Sequence, residues 1–270
     1  MKFHFHPSRG FTMVEILIVV AVIAGLGVAG FSGVCLAKRK ARCTMEIHAA
    51  RNLITAYLSH AADHNGRVMP GYVTDPSVTN LEGEPLHYPM NARYPWRLAP
   101  NVPKIEGVML FNGNEAALKS ENRDYLVSVH PNLGLNATLV GGHFGSGSPL
   151  PPTKKMTDSF GKFHLTHLTE SAAPEKLLVF ASARSGENEP GYFEIRPPHL
   201  TRPIWSSARF SNDSPGSAHG FIDLRWEGKA VCAMLAGNIE LLDESSLRDM
   251  RRWSIQAQQA NDADYVISPQ

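Results

Sequence analysis

Residues 10–20 read GFTMVEILIVV and open an apolar run from Phe11 to Ala37 in which Glu15 is the only charged residue. The run is longer than the roughly 20 residues that a helix needs to cross a bilayer. A carboxylate at that depth in a membrane costs about 2.5–3.5 kcal/mol on insertion scales, so Glu15 needs a counter-ion. Cleavage after Gly10 would create one, because the new α-amino group of Phe11 lies about one helical turn from Glu15, within one molecule or across staggered neighbours.

This order of residues resembles the cleavage and methylation signature of type IV prepilins and type II secretion pseudopilins. The shared features are a basic leader, a glycine, a phenylalanine, an acid four residues later and a long apolar run. The resemblance implies that a prepilin peptidase/methyltransferase cuts the chain after Gly10 and N-methylates Phe11, and that Glu15 is the assembly carboxylate of a filament core. Many pilins carry a proline in the apolar run, whereas this chain has glycines there: Gly25, Gly27, Gly30 and Gly33. Glycines lower helix propensity but let helices approach closely.

Two other kinds of N-terminal segment fit this run less well. A cleaved secretory signal has a shorter apolar region, with small residues at a cleavage site on its far side. A simple signal anchor matches the length but explains neither Glu15 nor the junction at residues 9–11. We therefore expect residues 1–10 to be a leader and residues 11–37 to be a transmembrane and filament-core helix.

The distribution of basic residues opposes a periplasmic C-terminal part. Lys2 and Arg9 precede the apolar run, and more basic residues follow it: Lys38, Arg39, Lys40 and Arg42. Counted alone, these charges would place the C-terminal part in the cytoplasm. Long domains are translocated largely regardless of such charges, and the resemblance implies that the leader is cut on the cytoplasmic side. We therefore expect the domain to be periplasmic and the basic cluster to lie at the headgroup level of the bilayer.

The composition limits the partners and disulfides to be expected. The chain has 270 residues with 26 basic and 25 acidic ones, and its net charge of +1 gives no reason to expect a nucleic-acid partner. Three cysteines do not make a disulfide framework. Cys35 lies in the apolar run. A Cys43–Cys232 bridge could form in an oxidising compartment, but we expect these two to be small buried hydrophobic residues.

The rest of the chain predicts an α+β domain attached to a long helix. Apolar residues recur at helical spacing from Cys43 to Ala61, with Glu46 on the polar side, so the transmembrane helix should continue as an amphipathic one over residues 38–62. Asn65-Gly66 should stop it. In the globular domain of residues 63–270, short apolar segments predict strands at 107–111, 125–129 and 177–181.

The last part of the chain contains the clearest local signals. Residues 229–242 predict a β-hairpin with its turn at 236–238, where Gly237 supplies a positive φ. Asp243 follows as the expected N-cap of a C-terminal helix that continues to Ile255. The expected fold is therefore a long N-terminal helix packed on an antiparallel sheet, rich in loops, with a C-terminal helix.

A second resemblance covers parts of the globular domain. Several stretches are similar to a group of large pseudopilin-like proteins common in planctomycete- and verrucomicrobia-type bacteria: residues 94–100, 133–138, 228–243 and 247–253. Many members of that group have Asp-Gly-His-Val at the hairpin, where this chain has Ala-Gly-Asn-Ile at 236–239. The difference removes an acid and a histidine, which puts any metal role of that turn in doubt.

Candidate metal and catalytic residues are scattered along the chain. Two histidine pairs have spacings that can place two ligands on one metal ion: His60 with His64, and His164 with His167. We expect all four to be ordinary surface histidines. Some pseudopilins bind a structural calcium ion, and the acids in the matching region lack a calcium-loop spacing: Asp213, Asp223, Glu227 and Asp243. We expect no cofactor, leave a structural calcium ion unassigned, and expect no catalytic residues or enzymatic activity.

The expected function is that of a subunit of a type II secretion pseudopilus that supports protein export. Its partners would be the prepilin peptidase/methyltransferase, other pseudopilin subunits and the inner-membrane secretion platform. The subunit would cross the inner membrane once, keep residues 63–270 in the periplasm and enter a periplasmic filament. Two alternatives stay open: a minor pilin of a type IV pilus or DNA-uptake system, and a membrane-anchored binding or hydrolytic ectodomain.

Overall fold

The structure, a computed structural model, describes residues 12–102, 104, 105, 109, 115–186 and 190–270, and for residues 23–33, 115 and 117 it describes the backbone alone. The chain forms two compact units, one ending at Thr44 and the other running from Met45 to Gln270. The described residues give an α+β fold with one four-stranded antiparallel sheet. The α+β class and the antiparallel sheet expected from the sequence are confirmed.

The longest element is helix α1, Met13–Asp63. Within the second unit its apolar stripe is buried, and the Tyr57 ring packs edge-on against Phe180 with ring centroids 5.6 Å apart. Asn65 and Gly66, the residues expected to stop the helix, both have positive φ. The Gly66 N–H donates to Ala61 O at 2.7 Å, which closes the helix end. The buried apolar residues of this stripe are Ala49, Ala50, Leu53, Ile54, Ala56, Tyr57 and Ala61.

The sheet consists of β1 (Leu133–Leu135), β2 (Leu178–Ser182), β3 (Lys229–Met234) and β4 (Ile239–Asp243), paired in that order and antiparallel throughout. Every residue of β2 is buried, and so is every residue of β3 after Lys229. A strand buried on both faces has a continuous apolar sequence, and residues 177–181 predicted a strand for this reason. That prediction is confirmed.

The β3–β4 hairpin forms as predicted, with five residue pairs in register. Its turn contains Gly237 at φ +90°, a conformation that strains any residue with a side chain. The Met234 N–H donates to Asn238 O at 3.0 Å across the turn. The hairpin was predictable because two apolar strands and one glycine are local signals.

The other described α-helices are short: α2 (Tyr94–Leu98), α3 (Arg123–Val129), α4 (Lys154–Phe160), α5 (Glu244–Arg248) and α6 (Ile255–Ala260). The strand predicted at 125–129 is wrong, because these residues form most of α3. The Ser128 hydroxyl donates to Tyr125 O at 2.7 Å within the helix and accepts from Arg93 at 3.0 Å, so tertiary contacts override the β propensity of the valines. The strand predicted at 107–111 lies, apart from Met109, outside the described residues.

The prediction of one C-terminal helix from Asp243 to Ile255 is wrong in its length. Asp243 does cap α5, because its side chain accepts the Ser246 N–H at 2.8 Å. The helix breaks at Asp249, whose side chain accepts the Arg251 N–H at 3.0 Å, and a serine then caps α6. Side chains that bond nearby backbone N–H groups compete with helix continuation. Three short segments therefore replace one helix: α5, the 3₁₀ turn Met250–Arg252 and α6.

The hydrophobic core of the second unit combines many buried aliphatic residues with the aromatic residues Phe163, Trp205 and Trp253. Trp253 is fully buried, its Nε1 donates to Leu247 O at 2.8 Å, and its ring meets Trp205 edge-on at 6.4 Å. Cys232 is fully buried in this core, as expected, whereas Cys43 on α1 is only partly buried. The described part of the chain contains no disulfide bond.

Candidate functional site

The first part of α1 exposes apolar side chains on every side. Residues 16–20 are all apolar, and each is more than half exposed, from 51% for Val19 to 67% for Leu17. Because successive helix residues are about 100° apart, five consecutive positions cover the whole circumference. A helix that is apolar all round is normally buried, in a large protein core or in a membrane. Among the residues whose side chains are described, no stretch of helix is long and apolar enough to cross a membrane.

Glu15 caps the start of this helix together with Thr12. The Glu15 Oε2 atom accepts hydrogen bonds from the Thr12 N–H at 2.8 Å and from the Thr12 hydroxyl at 2.9 Å, and Thr12 Oγ1 accepts the Glu15 N–H at 3.3 Å. This reciprocal pair is a capping box, which the sequence prediction did not include although Thr-x-x-Glu is a known sign of one. Gly10 and Phe11, and with them the expected contact between the Phe11 amine and Glu15, lie outside the described residues.

Glu46 was expected on the polar side of α1, but the structure buries it completely. Its carboxylate accepts a hydrogen bond from the Ser182 hydroxyl at the end of β2, and Arg225 Nη1 lies 3.8 Å from its other oxygen. Arg225 also contacts Asp223, with Nε 3.0 Å from Oδ2. The burial of Glu46 could have been predicted from the sequence, because Glu46 lies four residues before Ala50, within the apolar stripe of α1.

The histidine pairs considered for metal binding have other contacts. The His60 and His64 rings stack with centroids 4.1 Å apart, and His64 Nδ1 lies 2.7 Å from His60 O. His167 Nε2 lies 2.9 Å from Asn65 O. His164 is buried, so its prediction as a surface histidine is wrong; it lies within a segment whose neighbour Phe163 belongs to the core.

The acids considered for a calcium ion are also engaged elsewhere or exposed. Asp223 pairs with Arg225, and Asp243 accepts the Ser246 N–H as the cap of α5. In the described part of the chain, no three His, Cys, Asp or Glu residues are grouped so that they could hold a metal ion. The remaining two acids, Asp213 and Glu227, are exposed.

The structure buries an acid–histidine pair that the sequence analysis did not single out. Glu194 is 1% exposed, and Arg196 Nε donates to its Oε1 at 3.1 Å. His143 Nε2 lies 3.7 Å from Glu194 Oε2, and the His143 ring stacks on Tyr72 with centroids 4.4 Å apart. Burial lowers the pKa of His143 to about 4, with a further contribution from the charge of Arg196. Burial also raises the pKa of Glu194, although Arg196 opposes that shift. Because protein encloses both groups, we assign the pair a role in stability.

We expect acid to destabilise the fold through His143. Between pH 6.5 and about 4 the unfolded chain binds a proton on this histidine that the folded chain does not, so the free energy of unfolding falls as the pH falls. Between about pH 7.5 and 5 the loss amounts to ~2 kcal/mol. Denaturant unfolding at several pH values measures it, and His143→Phe, which keeps a ring on Tyr72, should flatten the slope. The raised pKa of Glu194 makes the fold more stable as the pH falls, in the unmodified protein and in His143→Phe alike. If the free energy of unfolding of His143→Phe fell with pH as steeply as that of the unmodified protein, this assignment would be contradicted.

Comparisons of this chain with protein-family models, curated proteins and solved structures find no match. The case for a function therefore depends on the chain's own residues. Those that bear on it most directly lie at the start of α1: the capped Glu15 and the exposed apolar side chains that follow it.

Proposed function

We propose that this protein is a prepilin-type subunit that is cleaved after Gly10, N-methylated on Phe11 and assembled into a type II secretion pseudopilus. Residues 11–37 cross the inner membrane once and later pack in the filament core, while residues 63–270 stay in the periplasm. Its partners are the prepilin peptidase/methyltransferase, other pseudopilin subunits and the inner-membrane secretion platform. The role is structural, without enzymatic activity.

The exposed apolar start of α1 carries this proposal. Residues 16–20 offer apolar side chains around the whole helix, each more than half exposed. Burying one Val, Leu or Ile side chain is worth about 1.5–3 kcal/mol, so the segment favours surroundings of lipid or of other helices. Docking on one partner surface would need only an apolar stripe. A pilin-type subunit meets both surroundings in turn, lipid before assembly and neighbouring helices after it.

Glu15 favours assembly over simple anchoring. Thr12 engages only Oε2 of its carboxylate, and Oε1 has no hydrogen-bond partner among the residues that the structure describes. In the proposed filament this oxygen accepts from the methylated Phe11 amine of a neighbouring subunit. The contact pairs two charges that would each be costly in an apolar core. A simple membrane anchor gains nothing from an acid at this depth.

Mass spectrometry of the native N-terminus tests the proposal. The mature chain should start at Phe11 and carry the mass of one added methyl group. Gly10→Val should retain the leader, because a branched side chain then occupies the cleavage position, whereas the same substitution at Gly27 should leave cleavage normal. A mature protein that starts at Met1, or beyond Ala37, would overturn the proposal.

A further inference from the structure

A cleft rich in cationic side chains lies between the segment before β2 and the C-terminal helices. It has a volume of about 490 Å³. We call it the basic cleft and define it by its polar lining: Lys176, Asp249, Arg251, Arg252, Gln258 and Asn261. The proposed assembly function uses none of these residues.

Gln258 fixes the two walls of the basic cleft relative to each other. Its Oε1 accepts from the Ser171 hydroxyl at 2.8 Å and from the Ala173 N–H at 3.3 Å. Its Nε2 donates to Ala173 O and to Arg251 O, each at 3.1 Å. The three contacts with Ser171 and Ala173 join the segment at 171–173 to the C-terminal part of the chain, and the contact with Arg251 O orients the Gln258 side chain, so the cleft is formed before any ligand arrives.

The acid inside the basic cleft is already neutralised. Arg251 forms a bidentate ion pair with Asp249, with Nε 2.9 Å from Oδ1 and Nη2 2.8 Å from Oδ2. The remaining Arg251 nitrogen, Nη1, donates to Asn261 Oδ1 at 3.0 Å. Arg251 and Asp249 therefore form part of the wall and have little capacity left for a ligand.

Lys176 and Arg252 keep hydrogen-bond donors that the described residues do not use. Lys176 Nζ has no hydrogen bond or ion pair among those residues. Arg252 donates from Nη1 to Glu240 Oε2 at 3.1 Å, which holds the guanidinium in place, but its Nε and Nη2 have no acceptor there. The basic cleft thus presents two cations with unused donors and no unused acid.

We propose that the basic cleft binds carboxylate side chains of an acidic peptide segment of a partner protein. The Nε and Nη2 edge of an arginine matches the two oxygens of a carboxylate, and a nearby lysine adds a second attraction. The cleft is larger than a single small anion, so a side chain and part of its peptide backbone can enter. Electrostatic complementarity of this kind selects a partner and its orientation.

Titration of the full-length chain in detergent micelles with a labelled, end-blocked triglutamate peptide tests this proposal. We expect binding that weakens as salt increases, and no comparable binding of the matching triglutamine peptide. Lys176→Gln and Arg252→Gln should each weaken triglutamate binding by about tenfold, because each removes a charge-assisted hydrogen bond. Arg202→Gln, which removes an exposed arginine elsewhere, should bind as the unmodified chain does.

Several outcomes would overturn the proposal. These are equal binding of the two peptides, unchanged affinity in both cleft variants, an equal loss in Arg202→Gln, or displacement of the peptide by an equimolar amount of inorganic phosphate. Lys176→Gln leaves the Arg252–Glu240 contact intact, so the test stays decisive if Arg252→Gln fails to fold. Neither peptide depends on cleavage after Gly10, so this test can fail while the assembly function stands.

Discussion

Glu15→Val should leave the chain inserted in the membrane and cut after Gly10, but it should reduce incorporation into filaments by about a hundredfold. Valine removes the only acid of the apolar run, so the Phe11 amine of a neighbouring subunit would stay unpaired in the filament core. An unpaired charge at that depth costs roughly 2.5–3.5 kcal/mol, which corresponds to the stated factor. The measurement is the amount of mature chain in sheared filaments relative to the amount in membranes.

Glu15→Gln separates the charge of this side chain from its capping role. The amide oxygen of glutamine can still accept the Thr12 N–H, so the start of α1 should stay capped. The amide cannot form an ion pair with the Phe11 amine, so incorporation should fall nearly as far as in Glu15→Val. Normal assembly of Glu15→Gln would mean that Glu15 serves helix capping alone, and the electrostatic account of assembly would fail.

The correct sequence predictions concern features that depend on a few consecutive residues. The turn at Gly237, the cap at Asp243 and the helix stop at Asn65-Gly66 are each set by local backbone conformation or by a side chain that reaches three residues along the chain. The capping box of Thr12 and Glu15 was not predicted, but it is equally local and could have been predicted from Thr-x-x-Glu. Its hydrogen bonds lie within the quoted stretch that led to the functional proposal.

Several of the wrong predictions concern residues whose partners are distant in the sequence. The position of Glu46 in the apolar stripe of α1 indicated its burial, but its partner Ser182 lies 136 positions away and cannot be identified from α1. Residues 125–129 have the composition of a strand, but Ser128 meets Arg93 across 35 positions and lies in a helix. The buried Glu194 and the residues of the basic cleft likewise acquire their surroundings only when the chain has folded. One sequence shows which residues carry charge but not which of them will meet.

The buried Glu46 should contribute more to stability than the exposed charges of the same helix. Glu46→Ala removes the closer of two acceptors of the Ser182 hydroxyl and one of the two carboxylates near Arg225, and it leaves a cavity. We expect the free energy of unfolding to fall by about 3–5 kcal/mol. Denaturant unfolding of the full chain in detergent, followed by tryptophan fluorescence, measures this loss.

Two further variants make the Glu46 comparison specific. Arg51→Ala, at an exposed position of α1, should change the free energy of unfolding by less than about 0.5 kcal/mol. Glu46→Gln keeps an acceptor for Ser182 while Arg225 keeps Asp223, so its loss should be about 1–2 kcal/mol. Glu46→Ala would contradict this expectation if it lowered the free energy of unfolding no more than Arg51→Ala does. The attraction between Glu46 and Arg225 would then only offset the cost of removing both charges from water, as buried ion pairs can do.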